Sequence, residues 1–173
     1  ALGHVFGGGN LANYQSPSTT DYYPYVLIAG GHVLDMVVGG GNLANISGNT
    51  QVDLIGGTLG SFGSETEGGH KDNVFGGGYG EHTEVTGNVL VNFGNIRRDE
   101  NGEEIHSDLI LYGDLYGGSA LGDVNTTNGN TIVNLLNGTI THYHDTTSLG
   151  QDTIIDGMAY GGGLGRKGVT GVI

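Results

Sequence analysis

The sequence predicts an all-β chain: a β-solenoid of about four to five coils with inserted surface loops. Three observations predict it. First, one phrase is written repeatedly along the chain, and self-similarity at a period of a few tens of residues marks stacked repeats. Second, apolar residues alternate at period two inside each copy, the signature of a strand with one side in a core. Third, 37 of 173 residues are glycine and only 2 are proline. Glycine in an interior turn costs about 1 kcal/mol relative to alanine, which disfavours helix, and the absence of a three-residue glycine period excludes collagen.

The master copy is Val37-Val38-Gly39-Gly40-Gly41-Asn42-Leu43-Ala44-Asn45, followed by Gly48-Asn49-Thr50-Gln51-Val52-Asp53-Leu54. Its first half recurs at Val5-Phe6-Gly7, Val74-Phe75-Gly76, Leu115-Tyr116-Gly117 and Ala159-Tyr160-Gly161. The anchors Phe6, Val38, Phe75, Tyr116 and Tyr160 are 32, 37, 41 and 44 residues apart. The second half returns at Gly129-Asn130-Thr131-Ile132-Val133-Asn134-Leu135, and more weakly at Pro24–Val33 and Gly87–Ile96. The drift in spacing comes from insertions near residues 14–23, 60–72, 97–106 and 141–151. The third reads as a hairpin turning at Asn101-Gly102. An extra strand is expected at Asp108–Gly113 and again at Asp152–Gly157.

Stacking places like residues over like. Val5, Val37, Val74, Leu115 and Ala159 are expected as an inward apolar column, each fully buried Val or Leu contributing about 1.5–3 kcal/mol. Asn49, Asn88 and Asn130 are expected as an asparagine ladder at a corner. Phe6, Val38, Phe75, Tyr116 and Tyr160 form the neighbouring column, read as outer or half-buried because two of its members are tyrosine. Residues 1–173 are read as one such segment, a fragment of a longer array, because both ends fall in mid-repeat without a polar cap. The open ends predict end-to-end self-association.

The phrases V-F-G-G-G-N and G-N-T-x-V-x-I-x-G-G-T-I resemble the glycine-rich repeats of bacterial surface and secreted proteins, similar to autotransporter-adhesin passengers. The resemblance covers nearly the whole chain outside the insertions. It implies a right-handed parallel β-helix, an extracellular or cell-surface location, and work as a stalk or adhesin. Glycans or surface proteins, of host or bacterium, are the partners it implies.

Composition narrows the function further. A net charge of −13, from 18 acidic and 5 basic residues, lacks the basic footprint that nucleic acid requires. No run approaches the roughly 20 apolar residues of a membrane-spanning helix. With no cysteine, disulfides do not contribute. Gly7-Gly8-Gly9 is not followed by Lys-Ser/Thr or a helix, so it is no phosphate loop.

Three groups of residues have chemistry to offer. Tyr14, Tyr22, Tyr23 and Tyr25 crowd the first insertion and Tyr143 lies in the fourth; rigid rings with a polar tip make good sugar or protein contacts. His142 and His144, with Asp145 beside them, are a candidate Zn2+ set. The charged turn at Asp99–Glu104 superficially suits Ca2+ but lacks the spacing of an EF-hand. No cofactor is otherwise called for. An enzyme acting on polysaccharide, a lyase or glycoside hydrolase, is the alternative reading, as is a carbohydrate-binding module. Glycoside hydrolysis wants paired carboxylates, whereas Asp53 aligns with Leu27, Asn92 and Asn134. The chain is therefore read as non-catalytic.

Overall fold

The computed structural model describes residues 1–17, 22–62, 71–124, 129–144 and 153–165. In chain order its strands are β1 (Val5–Phe6), β2 (Tyr14–Gln15), β3 (Tyr25–Val33), β4 (Val37–Val38), β5 (Ile46–Ser47), β6 (Thr50–Leu59), β7 (Val74–Phe75) and β8 (Glu84–Val85). There follow β9 (Val89–Phe93), β10 (Ile110–Tyr112), β11 (Leu115–Tyr116), β12 (Asp123–Val124), β13 (Thr131–Leu135), β14 (Thr139–His144), β15 (Thr153–Asp156) and β16 (Ala159–Tyr160).

Among the described residues these strands form three separate sheets. One has the order β1-β4-β7-β11-β16, a second the order β12-β8-β5-β2. The third is seven-stranded, β13-β9-β6-β10-β14-β15 with β3 also on β6. All pairings between named strands are parallel except β14 with β15.

This arrangement corrects the expected fold class. A single right-handed parallel β-helix with four to five equivalent coils is not what forms; the strands belong to three separate parallel sheets. The physical reason lies in the seven-stranded sheet, whose membership per repeat is not constant. β6 runs for ten residues, and its first half, Thr50–Leu54, pairs with β9, while Thr58 and Leu59 pair with β10. Between these halves the β3–β6 register slips, and Gly57 has φ +98°. One long strand thus divides into two, and in the next copy β13 pairs with β9 while β14 pairs with β10. The expected equivalence of the two extra strands fails as well: β10 runs parallel to β14, whereas β15 turns back antiparallel against it.

Two insertions also shift. Tyr14 opens β2, which pairs in parallel with β5, and residues 142–144 complete β14 rather than a loop. The hairpin turns where expected, with Arg98 bridged antiparallel to Glu104 and Gly102 at φ +83°.

The registers put matching letters beside each other. Val5, Val37, Val74, Leu115 and Ala159 are successive partners across the five-stranded sheet. Val37, Val74 and Leu115 are buried in the main core and Val5 packs partly against it, whereas Ala159, expected inward, is exposed at the end of the column. The core also takes Val26 and Ile28 from β3, Val52 and Leu54 from β6, and Val91 and Phe93 from β9. The adjacent column does not behave as an outer face: Val38 and Phe75 are fully buried and Tyr116 is nearly so. Together with Met36 and Ala120 they build a second, smaller core on the opposite side of the sheet, which Phe6, Tyr79 and Leu164 cover in part. There the rings stack, Phe75 on Tyr116 at 5.2 Å and Tyr116 on Tyr160 at 4.9 Å between centroids. Only the last ring, Tyr160, stays exposed.

Glycine is required where chain approaches chain. A Cβ on Gly39 would lie 2.2 Å from the carbonyl oxygen of Gly76, and one on Gly7 the same distance from that of Gly39.

Candidate functional site: a tyrosine and amide groove on the seven-stranded sheet

Alternation on β3, β6, β9 and β13 sends one set of side chains into the core and leaves the other on the outer face. Two outward rows result from the registers. Tyr25, Gln51, Leu90 and Ile132 make the first, and Leu27, Asp53, Asn92 and Asn134 the second.

The second row is joined by side-chain hydrogen bonds. Asn134 Nδ2 donates to Asn92 Oδ1 at 2.8 Å, and Asn92 Nδ2 donates to Asp53 Oδ1 at 2.7 Å. Gln51 Nε2 donates to both Asp53 oxygens, at 3.1 and 2.9 Å. The Tyr25 hydroxyl donates to Asp53 Oδ2 at 2.7 Å, and the Tyr23 hydroxyl to Gln51 Oε1 at 2.9 Å. One carboxylate therefore accepts from three side chains, and charge-assisted bonds of this kind are the stronger ones. The bond to Asp53 raises the ionisation of Tyr25 above its ordinary value, with burial adding to it. Near neutral pH that phenol is a donor rather than a base.

Beside this network Tyr14, Tyr22, Tyr23, Tyr25 and Gln51 line a cleft of about 360 Å³. Tyr14 comes from the four-stranded sheet; Tyr22 and Tyr23 lead into β3 through the buried Pro24. Proline holds the residue before it in extended conformation, and the Ser16 hydroxyl donates to the Tyr22 carbonyl, tying the two segments together. The Tyr22 and Tyr25 side chains remain exposed. A second cleft of about 270 Å³ starts from the same Tyr23 and Gln51 and crosses Asn49, Asn88 and Asn130 to Leu90 and Ile132.

The asparagines of that second cleft form the ladder expected from the sequence. Asn49 Oδ1 accepts the backbone N–H of Asn88 at 2.8 Å, and Asn88 Oδ1 accepts that of Asn130 at 2.9 Å. Asn49 and Asn88 each cap the backbone one rung along, so the ladder itself occupies their side-chain carbonyl oxygens.

The structure thus brings together four of the five tyrosines singled out in the sequence. Tyr143 lies on β14, as do His142 and His144, opposite Ile154, Ile155 and Thr153 respectively. Asp145 falls outside the described residues. Among the described residues no group of three or more His, Cys, Asp or Glu side chains comes together to hold a metal. Val37, Val74 and Leu115, with Phe75 and Tyr116, are core residues, and Val5 packs partly buried against them. Phe6 and Tyr160 sit at the two ends of their column.

Sequence reasoning missed Gln51 and the joining of Asp53 to Asn92 and Asn134. The signal was there: amides and an acid at alternate positions of copies whose intervening residues are Val and Leu.

Comparison of the chain with protein-family models, with curated proteins and with solved structures gives no match. No helix among the described residues is long and apolar enough to cross a membrane.

Proposed function

We propose that this chain is a non-catalytic structural and adhesive element acting outside a bacterial cell, and that it holds carbohydrate on the outer face of its seven-stranded sheet. The observation that carries the reading is the convergence of Tyr14, Tyr22, Tyr23 and Tyr25 on one cleft beside a hydrogen-bonded Gln–Asp–Asn row. Tyrosine faces pack against the C–H face of a sugar ring while their hydroxyls and neighbouring amides meet its hydroxyls. The described residues around both clefts are Tyr, Gln, Asn, Thr and aliphatics, which bind and orient but do not shuttle protons near neutral pH. Among the described residues the acid bonded to the cleft is Asp53, and Tyr25, Gln51 and Asn92 already hold it. That favours binding over the hydrolase or lyase alternative, where a second carboxylate or a cation would be required. The glycine-rich phrases, in their resemblance to those of bacterial surface and secreted proteins, support the extracellular placement and the structural role.

Titration of a glycan panel against wild type and the Tyr23→Ala/Tyr25→Ala double variant tests this. Binding of at least one glycan, weakened about tenfold or more in the variant with the glycan recovered intact, is the expected result. Shortened or unsaturated products would establish the enzyme instead. Undiminished binding by the variant would move the site elsewhere.

A further inference from the structure

Resting on the glycan-binding reading, we infer that the ligand is an uncharged oligosaccharide several sugars long, lying across the strands of the seven-stranded sheet rather than presenting one terminal sugar. The two clefts share Tyr23 and Gln51 as lining residues, so they adjoin on the same outer face. The second crosses three successive rungs, at Asn49, Asn88 and Asn130. With hydrogen-bonded strands about 4.8 Å apart, those rungs alone span roughly 10 Å, longer than one pyranose ring, before the tyrosine cleft is added.

Charge decides the class of sugar. Among the described residues no Lys or Arg lines either cleft. Among the described residues Asp53 is the carboxylate bonded to the cleft residues Tyr25 and Gln51, and the whole chain carries −13. A uronate or sialylated chain would lose hydration without gaining an ion partner and would approach a like-charged surface. Sugar hydroxyls, which donate and accept, match phenol and amide groups that do the same. An extended peptide is disfavoured for a different reason. Peptides dock on sheets mainly by adding a strand at an open edge, whereas the middle of the groove lies over β6 and β9, which already have a parallel partner on each side, and only its ends reach the edge strands β3 and β13.

The test titrates the intact chain with neutral gluco-, manno-, galacto- and xylo-oligosaccharides from mono- to hexasaccharide. Oligogalacturonates of equal lengths and an uncharged hexapeptide complete the series. Affinity for a neutral series should rise about tenfold or more from disaccharide to the longest members, with oligogalacturonate and peptide far weaker at low salt. Ile132→Ser, at an exposed position at the far end of the groove, should weaken the hexasaccharide several-fold and leave the disaccharide unchanged. Affinity independent of length, equal loss for both ligands, or preference for the acidic series overturns the inference while leaving glycan binding in place. Binding of the peptide alone, or of no glycan, overturns both.

Discussion

Leu11, Leu43 and Leu121 sit at φ 59°, 49° and 63°, in the left-handed region. Each follows a residue of one bridged column, Asn10, Asn42, Tyr79 and Ala120, and at the Tyr79 rung the next residue is Gly80, at φ +115°. A side chain with Cβ costs about 1–2 kcal/mol there, while asparagine tolerates the region by local hydrogen bonding. Leu11 is 70% exposed, so little packing opposes the change. Leu11→Asn should stabilise the fold by about 0.5–1 kcal/mol in chemical denaturation; a loss of stability would mean that the leucine packs against something essential. Tyr116 makes a pH prediction at the same scale. Burial, and then the nearby Asp114 carboxylate, push its ionisation well above the ordinary value of 10.0. In the unfolded chain the phenol ionises near that value while the folded one stays protonated. The unfolded state then binds fewer protons, so stability falls as pH rises above about 10. Tyr116→Phe should flatten that alkaline decline, read as the melting temperature between pH 9 and about 12. An unchanged slope would assign the decline to the other tyrosines.

At the scale of elements, the corner ladder and the hairpin make opposite predictions. Asn49 Oδ1 accepts the Asn88 backbone N–H in an exposed bond, and a bond of this kind contributes about 0.5–1.5 kcal/mol net. Asn49→Ala should therefore destabilise by that amount. The hairpin tip bonds to itself: Asp99 accepts N–H groups from Asn101 at 2.8 Å and Glu103 at 2.9 Å, and Arg98 Nη1 donates to the Gly102 carbonyl. Those backbone bonds, from Glu103 first and then Asn101, hold the Asp99 carboxyl below the usual carboxylate range. Being exposed and self-contained, residues 99–104 should be replaceable by a short turn at a cost under about 0.5 kcal/mol. Equal losses from both changes would refute this division between wall and loop. Element pairing was also where legibility varied. Val5, Val37, Val74 and Leu115 were readable as partners because each precedes a glycine cluster that keeps the chain close to its neighbour. The forking of β6 was not readable, because Ile55-Gly56-Gly57 continues the apolar pattern in sequence while the register breaks in space. Tyr116 misled for a related reason: a phenol suits a surface or a core equally, and only the stacking partners Phe75 and Tyr160 decide.

For the whole molecule, three sheets around one apolar core give a rigid support, and the second core behind Phe75 and Tyr116 stiffens one of them. Rigidity matters to a binding face because preorganised side chains lose less freedom when ligand arrives. The tyrosine cluster was legible as an insertion rich in rings, and the alignment of Asp53 with Asn92 and Asn134 was legible from the repeat, but the hydrogen bonding that joins them to Gln51 and Tyr25 was not, because it depends on side-chain reach across the parallel register. The account stands on that outer face being the place of contact. Backbone amide chemical shifts, followed while a neutral hexasaccharide that binds the chain is added, test it directly. Shifts should concentrate at Tyr23, Tyr25, Gln51, Asn88, Leu90 and Ile132, with the five-stranded sheet at Val37, Val74 and Leu115 silent. Shifts centred on the five-stranded sheet or the hairpin, with the tyrosine cleft unmoved, would contradict it.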